Sequence, residues 1–458
     1  MFKKMSKFFK FEERNTNFRN EIVGGIVTFL AMSYILVVNP LIVSGAFDGV
    51  VGVPKDAVFL ATAISAVVAT LLMALLANLP VALAPGMGVN AFFVSFVIAQ
   101  KGYTWQEALA LSVVAGVIFL LISFTKIRSM LIKAIPSSLK AAIGVGIGFF
   151  IATVGLKNSG IISIGTGNFS LGDFSSPEVI LSLISITIIL LVYVSRTKLS
   201  KFSFIISIVA TAGIGLVMGV FGIKGQNIPA FGEFNYNGLK VFKDVAFVGV
   251  FEGFKTVFSH NLFEVFFIVF ALLFVDVFDT AGTLIAVGNA AELADEEGNI
   301  PNIEKAFLAD AVGTVVGATL GTPVVTSFVE SATGVEAGAK TGFSGVVVAL
   351  LFLLSIVLFP IFSIFSSSSV TVGALVLVGI LMSTQLKNID WANPVDAIVS
   401  FITIILMLLT GSIANGIAFG FIFYTLIKLV RGEIKEVHPV LYSCAALFSV
   451  YFVVMSVI

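Results

Sequence analysis

Charge is what this chain has least of: Asp, Glu, Lys and Arg make up 11% of its 458 residues, and hydrophobic residues 58%. Soluble domains carry roughly a quarter charged residues, so this deficit, with a mean hydropathy of +1.10, excludes a water-soluble domain. Lys+Arg and Asp+Glu both number 26, which leaves no basic field for nucleic acid. The single cysteine, Cys444, excludes a disulfide framework, and with only His260 and His438 beside it no His/Cys zinc site can be built. A small-residue cleavage pattern is also missing after the basic segment that holds Lys3, Lys4, Lys7, Lys10, Arg14 and Arg19, so that segment is no signal peptide. Its interleaved Phe2, Phe8, Phe9 and Phe11 suit a segment lying on the membrane surface, the alternative being a disordered basic tail.

Long apolar runs are what the chain has in abundance. Seven lie at Ile22 to Ile42, Ala57 to Leu79, Val81 to Ala99, Glu107 to Phe124, Leu139 to Val154, Val179 to Val194 and Phe204 to Phe221. A polar stretch, Gly222 to His260, separates them from seven more: Leu262 to Val287, Ala306 to Leu320, Thr322 to Val335, Phe343 to Phe365, Val370 to Ser383, Val395 to Leu409 and Ile413 to Val430. The pattern predicts an all-α polytopic membrane protein of about fourteen transmembrane helices. It divides into a basic N-terminal segment (1–20), a first seven-helix repeat (21–221), an extracellular loop (222–261), a second repeat (262–430) and a C-terminal segment (431–458). A unit with an odd number of spans is inverted when repeated. The run Val440 to Ile458 is open between a fifteenth span and an interfacial helix. Positive charge in the short loops (Lys126, Arg128 and Lys133; Arg196, Lys198 and Lys201; Lys387; Lys428, Arg431 and Lys435) puts the N-terminus in the cytoplasm of a cell-membrane protein.

Three polar features interrupt this apolar chain. In Phe274-Val-Asp-Val-Phe-Asp-Thr-Ala-Gly-Thr283, Asp276, Asp279, Thr280 and Thr283 fall on one helical face. An aspartate there costs about 2.5–3.5 kcal/mol on insertion scales, so the pair requires a function or a partner, and Lys340 is the one nearby base. The third span holds Ala84-Pro-Gly-Met-Gly-Val-Asn90, and the tenth holds Gly321-Thr-Pro-Val-Val-Thr-Ser-Phe-Val-Glu330. Non-helical backbone at membrane depth survives only where protein or a water-lined cavity surrounds it, and paired interruptions mark transporter sites. Ser327 and Glu330 have the spacing of a capping box for a half-helix. Glu330, next to Val329, is then either a cap or a ligand acceptor beside that helix start, and Asn90 either caps the other half-helix or contacts a ligand. Three acids without bases, Asp276, Asp279 and Glu330, are suited to carrying a proton. They repel anions and accept paired N–H groups such as those on a purine or pyrimidine edge.

These residues resemble a known family, the nucleobase-cation symporters, and within it the AzgA-like permeases for adenine, guanine and hypoxanthine. The matching motifs are Ala84-Pro-Gly-Met-Gly-Val-Asn-Ala91, Val275 to Thr283, and Thr326-Ser-Phe-Val-Glu-Ser-Ala-Thr-Gly334 continuing to Lys340-Thr-Gly342, in order over essentially the whole chain. The resemblance implies a uracil-transporter-like fold, with spans 1–4 and 8–11 forming a core domain that slides elevator-fashion past a gate domain of spans 5–7 and 12–14. It implies purine import by proton symport without enzymatic activity or a further cofactor, and a homodimer. It assigns substrate contact to Asn90, to Asp276 or Asp279, to Thr283, and to Val329 and Glu330, and proton coupling to Asp276, Asp279 and Glu330. The wider uracil-transporter pattern places the contacting acid at Asp279, whereas AzgA-like members carry both. Thr283 replaces the histidine of pyrimidine carriers, and Asn415 stands where an aspartate is usual. The alternatives are an anion (sulfate- or bicarbonate-like) transporter of the same fold and a pyrimidine permease.

Overall fold

In the computed structural model of this chain the described residues are 2–45, 49–125, 135–164, 169–223, 225, 228–229, 238–293, 300–358, 367–410 and 413–457. Lys126, Arg128 and Lys133, used above for orientation, and the end of the eleventh run beyond 358 lie outside them.

Leucine, isoleucine, valine and phenylalanine fill helix after helix, because in lipid every backbone N–H and C=O must be satisfied within its own segment. The first half contains α1 (Phe2–Phe8), α2 (Phe18–Met32), α3 (Ile35–Val43), α4 (Lys55–Leu72), strand β1 (Leu83–Pro85), α5 (Met87–Phe92), α6 (Trp105–Ser123), α7 (Ser137–Asn158), the hairpin β2 (Ile162–Ile164) and β3 (Phe169–Leu171), α8 (Pro177–Val194) and α9 (Ser203–Val220). Then come α10 (Gly238–Val245), α11 (Val248–Thr256), α12 (Leu262–Ala290), α13 (Ile303–Leu320), β4 (Val325–Ser327), α14 (Ser331–Glu336), α15 (Gly342–Val357), α16 (Ser368–Ser383), α17 (Pro394–Thr410), α18 (Ile413–Val430) and α19 (Pro439–Val457). Among the described residues, seven helical stretches are long and apolar enough to cross a membrane, and shorter apolar helices, α15 and α17 among them, occupy further runs. The run left open at the C-terminus is the continuous helix α19, which packs on α18 and α12 through Phe448 against Phe421, Phe267 and Phe270.

Both breaks are strands, and they pair with each other. β1 and β4 run antiparallel in the register Leu83↔Ser327, Ala84↔Thr326, Pro85↔Val325, flanked by Gly86 N–H to Val324 O at 2.9 Å and Phe328 N–H to Ala82 O at 3.0 Å. Antiparallel pairing of equivalent segments is what a two-fold relation between inverted halves requires. Pro85 falls where its missing N–H would point away from the partner strand. Gly86 is required by closeness: a Cβ there would come within 2.7 Å of Thr326 Cγ2. Gly321 is required by conformation, ending α13 at φ +116°.

The outward-facing backbone groups of these strands are satisfied by threonines, one from each half. Thr70 of α4 accepts from Leu83 N–H and donates to Leu83 O, both at 2.9 Å. Thr314 of α13 accepts from Val325 N–H at 3.2 Å and stands 2.9 Å from Val325 O. The unpaired edges of a two-stranded ribbon are thereby closed at membrane depth.

Helices α2 to α6 pack with α12 to α15, and α7 to α9 with α16 to α18. The N-terminal segment is packed on the helices. Phe9 and Phe11 are buried against Phe343, and Arg14 donates to Asn78 O at 2.5 Å and Lys340 O at 2.8 Å. Aromatic edge-to-face contact and a guanidinium bridging two carbonyls hold this segment against the helices. Beside it Glu21, fully buried, accepts from the N–H groups of Lys340, Thr341 and Ser344 and so fixes the turn between α14 and α15.

A candidate substrate site between two broken helices

Helix α12 is long enough, at about 1.5 Å per residue, to carry its acids past the strand pair. Asp276 is 2% exposed and its Oδ2 lies 2.9 Å from Thr314 Oγ1, while Oδ1 has no hydrogen-bond partner among the described residues. Thr280 Oγ1 and Thr326 Oγ1 share a hydrogen bond of 2.8 Å, which ties α12 to β4. Asp279, one turn from Asp276, is only partly buried and lies within electrostatic reach of Glu330. Glu330 is 8% exposed and accepts from the Tyr34 hydroxyl at 2.7 Å. Tyr34, itself buried, stacks on Phe204 of α9 with ring centroids 4.6 Å apart.

Space lies open beside Gly282. Gly282, on the Asp279 side of α12, is exposed, and a Cβ built on it would meet nothing within 4 Å. Thr283 follows it, and Val329, in the turn leading to Glu330, is 43% exposed. Toward the other end of α12, Phe92, Phe96, Phe267 and Phe448 with Asn415 surround a narrow apolar crevice.

The capping box expected at Ser327 and Glu330 does not form. Strand pairing holds Ser327 extended, so α14 begins only at Ser331, with Glu330 in the N-cap position and its side chain making no cap. Glu330 is instead committed to Tyr34. Asn90 lies inside α5 rather than at its start, and its carboxamide bonds at both ends: Nδ2 donates to Asn39 Oδ1 at 2.8 Å, and Oδ1 accepts from Val324 N–H at 3.3 Å. Asn39 in turn donates to Thr62 and Thr322, each at 2.9 Å. Asn90 therefore joins the first break to the second. Lys340 does not pair with the aspartates; it bonds Glu292 at 2.9 Å and holds that exposed carboxyl below the usual range.

A fourth acid completes the cluster. Asp310 of α13 is fully buried, stands near Asp276 and Asp279, has Thr280 and the Ser327 amide as polar neighbours, and neither carboxyl oxygen reaches hydrogen-bonding geometry among the described residues. Sequence reading passed over it, although an acid amid Ala306 to Leu320, with Thr314 one turn on, carried the signal that marked Asp276. No Lys, Arg or His among the described residues forms an ion pair with Asp276, Asp279, Asp310 or Glu330. Such a site disfavours anions and accepts N–H donors.

Comparison with known proteins gives the family. Residues 19–419 match the model of the Permease family, Xan_ur_permease. The chain is 39% identical to the guanine/hypoxanthine permease PbuG of Bacillus subtilis, covering 98% of this chain and 99% of that one. It is 35% identical to the adenine permease AdeP of Escherichia coli, over 97% of this chain and 95% of the relative. In fold it is similar to the transmembrane domain of a cyanobacterial bicarbonate transporter, BicA, with a TM-score of 0.63 at 15% identity, over 88% of this chain and 98% of that one. The chain therefore belongs to the Permease family, as a multi-pass membrane transporter of two inverted halves.

Proposed function

We propose that this protein imports purine nucleobases, of the hypoxanthine, guanine and adenine type, by proton symport. The observation that carries the reading is a group of four acids, Asp276, Asp279, Asp310 and Glu330, gathered beside the two breaks with no ion pair to a base among the described residues. A purine edge offers adjacent N–H donors, and two carboxylates held by α12 and by the second break accept them with charge-assisted bonds. The names of relatives such as PbuG and AdeP support the same substrate class.

Asp276 and Asp310 are the proton carriers in this reading. Thr314 has one hydroxyl hydrogen and two acceptors at 2.9 Å, Asp276 Oδ2 and Val325 O. Its counterpart Thr70 sends its hydrogen to the strand carbonyl. With Thr314 doing the same, Asp276 makes its bond by carrying the proton itself, and Asp310, which lies within electrostatic reach of Asp276, is the second site for that proton.

In this reading substrate exchanges with the cytoplasm on the Gly282 side of α12, the side that a cytoplasmic N-terminus places inside. Transport then requires α2–α6 with α12–α15 to slide as a core against α7–α9 with α16–α18.

Uptake of labelled hypoxanthine, adenine, uracil and bicarbonate into proteoliposomes, with and without an acid-outside gradient, tests the reading. Purine uptake stimulated by the gradient is expected. Its absence under both conditions, or bicarbonate uptake in its place, overturns the proposal.

A further inference from the structure

The stretch between the two halves, expected to be a polar loop, contains a helix with two different apolar faces. One face of α11 is docked on α6: a Cβ on Gly249 would meet Trp105 Cζ3 at 2.5 Å, and one on Gly253 would meet the Gln106 carbonyl oxygen at 2.0 Å. Val250 and, one turn beyond the helix, Val257 are buried on the same side. Phe254 packs against the core, while Phe247 just before α11, Phe251 within it and Phe258 just after it form an uncovered sector away from that face. They are 55%, 65% and 53% exposed. The sector continues onto α12 through Leu262 and Phe266, at 64% and 47% exposed. Glu252 and Lys255, paired at 2.6 Å, border it on the far side.

The backbone supports this presentation. Phe247 sits at φ +62°, ψ −51°, a conformation that costs a bulky residue on the order of 1–3 kcal/mol. Its N–H is held by Thr319 O at 2.8 Å, so the turn is fixed by α13 while the ring is left uncovered. A row of rigidly held phenylalanines continuous with the outer surface of a membrane-crossing helix fits lipid rather than water.

We infer that α11 is an interfacial anchor. It lies in the leaflet on the side opposite the N-terminus, with Phe247, Phe251 and Phe258 at the boundary of acyl chains and headgroups and Glu252–Lys255 toward water. The anchor is fastened to α6 and α13, the second of which carries Thr314 and Asp310. Any movement of that unit along the membrane normal therefore carries α11 through the interface.

The test replaces buried Cys444 by Ala and places single spin-labelled cysteines at 251, 258, 252 and 255 in proteoliposomes of phosphatidylethanolamine and phosphatidylglycerol. Collision with oxygen, which partitions into lipid, is compared with collision with a water-soluble nickel chelate. Labels at 251 and 258 are expected to favour oxygen at least about threefold over those at 252 and 255. Equal nickel accessibility at all four positions, which places the helix in water, overturns the anchor. So does shielding of 251 and 258 from both reagents with dipolar broadening, which places a second copy of the chain on this face. Positions 251 and 258 are read independently, so failure of one variant to fold leaves the other decisive.

Discussion

Glu330 is the residue on which the substrate reading is most exposed to test. Glu330→Gln keeps the size of the side chain and its bond to Tyr34 but removes the charge that strengthens an accepted N–H, worth about 1.5–3 kcal/mol. Purine affinity is expected to fall by roughly 10- to 100-fold, measured by titration of the purified protein. Affinity within about twofold of the parent would leave Glu330 only the role of holding Tyr34. The proton carriers make a different prediction. Asp276→Asn and Asp310→Asn are expected to retain substrate exchange while uptake ceases to follow an imposed acid-outside gradient. Since the proton is taken up on the acid side, parent uptake falls as external pH rises, and the variants are flat across the same range. At this scale the sequence was readable where an acid stood beside other polar residues, as at Asp276, Asp279 and Glu330. Asp310 carried the same signal, with Thr314 one turn on, and only the partners from distant spans, Tyr34 and Asn39, were unreadable, because no spacing rule links residues brought together only by packing.

Among the elements, the strand pair explains why helix-breaking residues are tolerated inside the membrane. Thr314→Val leaves a buried N–H and C=O of Val325 without partners, at about 1–3 kcal/mol for each group, and removes the bond to Asp276. Thr70→Val strands the same groups on Leu83 but touches no acid. Both variants are expected to lower the thermal midpoint by a similar amount, read by tryptophan fluorescence or thermal-shift assay, and only Thr314→Val is expected to weaken gradient-driven uptake as well. Equal loss of pH response in both would detach the threonine from proton transfer. Helix α14 supplies a purely structural check. A Cβ on Gly334 would lie 2.0 Å from Thr28 Oγ1 and 2.5 Å from Gly24 O. Gly334→Ala is therefore expected to destabilise by about 1–3 kcal/mol and to disturb Glu330, which immediately precedes this helix. The breaks themselves were visible as Gly/Pro interruptions. Their pairing was not, since two three-residue strands some 240 residues apart share no local signal, and the expected capping box failed because that pairing held Ser327 extended.

For the whole molecule the decisive prediction concerns relative motion. A Cβ built on Gly88 of α5 lies 3.9 Å from Ile147 Cβ of α7, within the range of a disulfide. Gly88→Cys with Ile147→Cys, in a background lacking Cys444, is expected to stop uptake when oxidised and to recover it on reduction. Undiminished uptake with the cross-link demonstrated by mass spectrometry would refute sliding of the two helix groups. The number and position of the apolar runs, the two interruptions and the acid-bearing face of α12 were determined by the sequence alone, because insertion in lipid demands about twenty apolar residues per span and penalises every exception. Tertiary structure decided which exceptions belong together: that β1 pairs with β4, that Tyr34 engages Glu330, that Lys340 turns to Glu292 and that the N-terminal phenylalanines fold onto Phe343. Those outcomes depend on distances between segments far apart in the chain, set by close packing of all the helices at once.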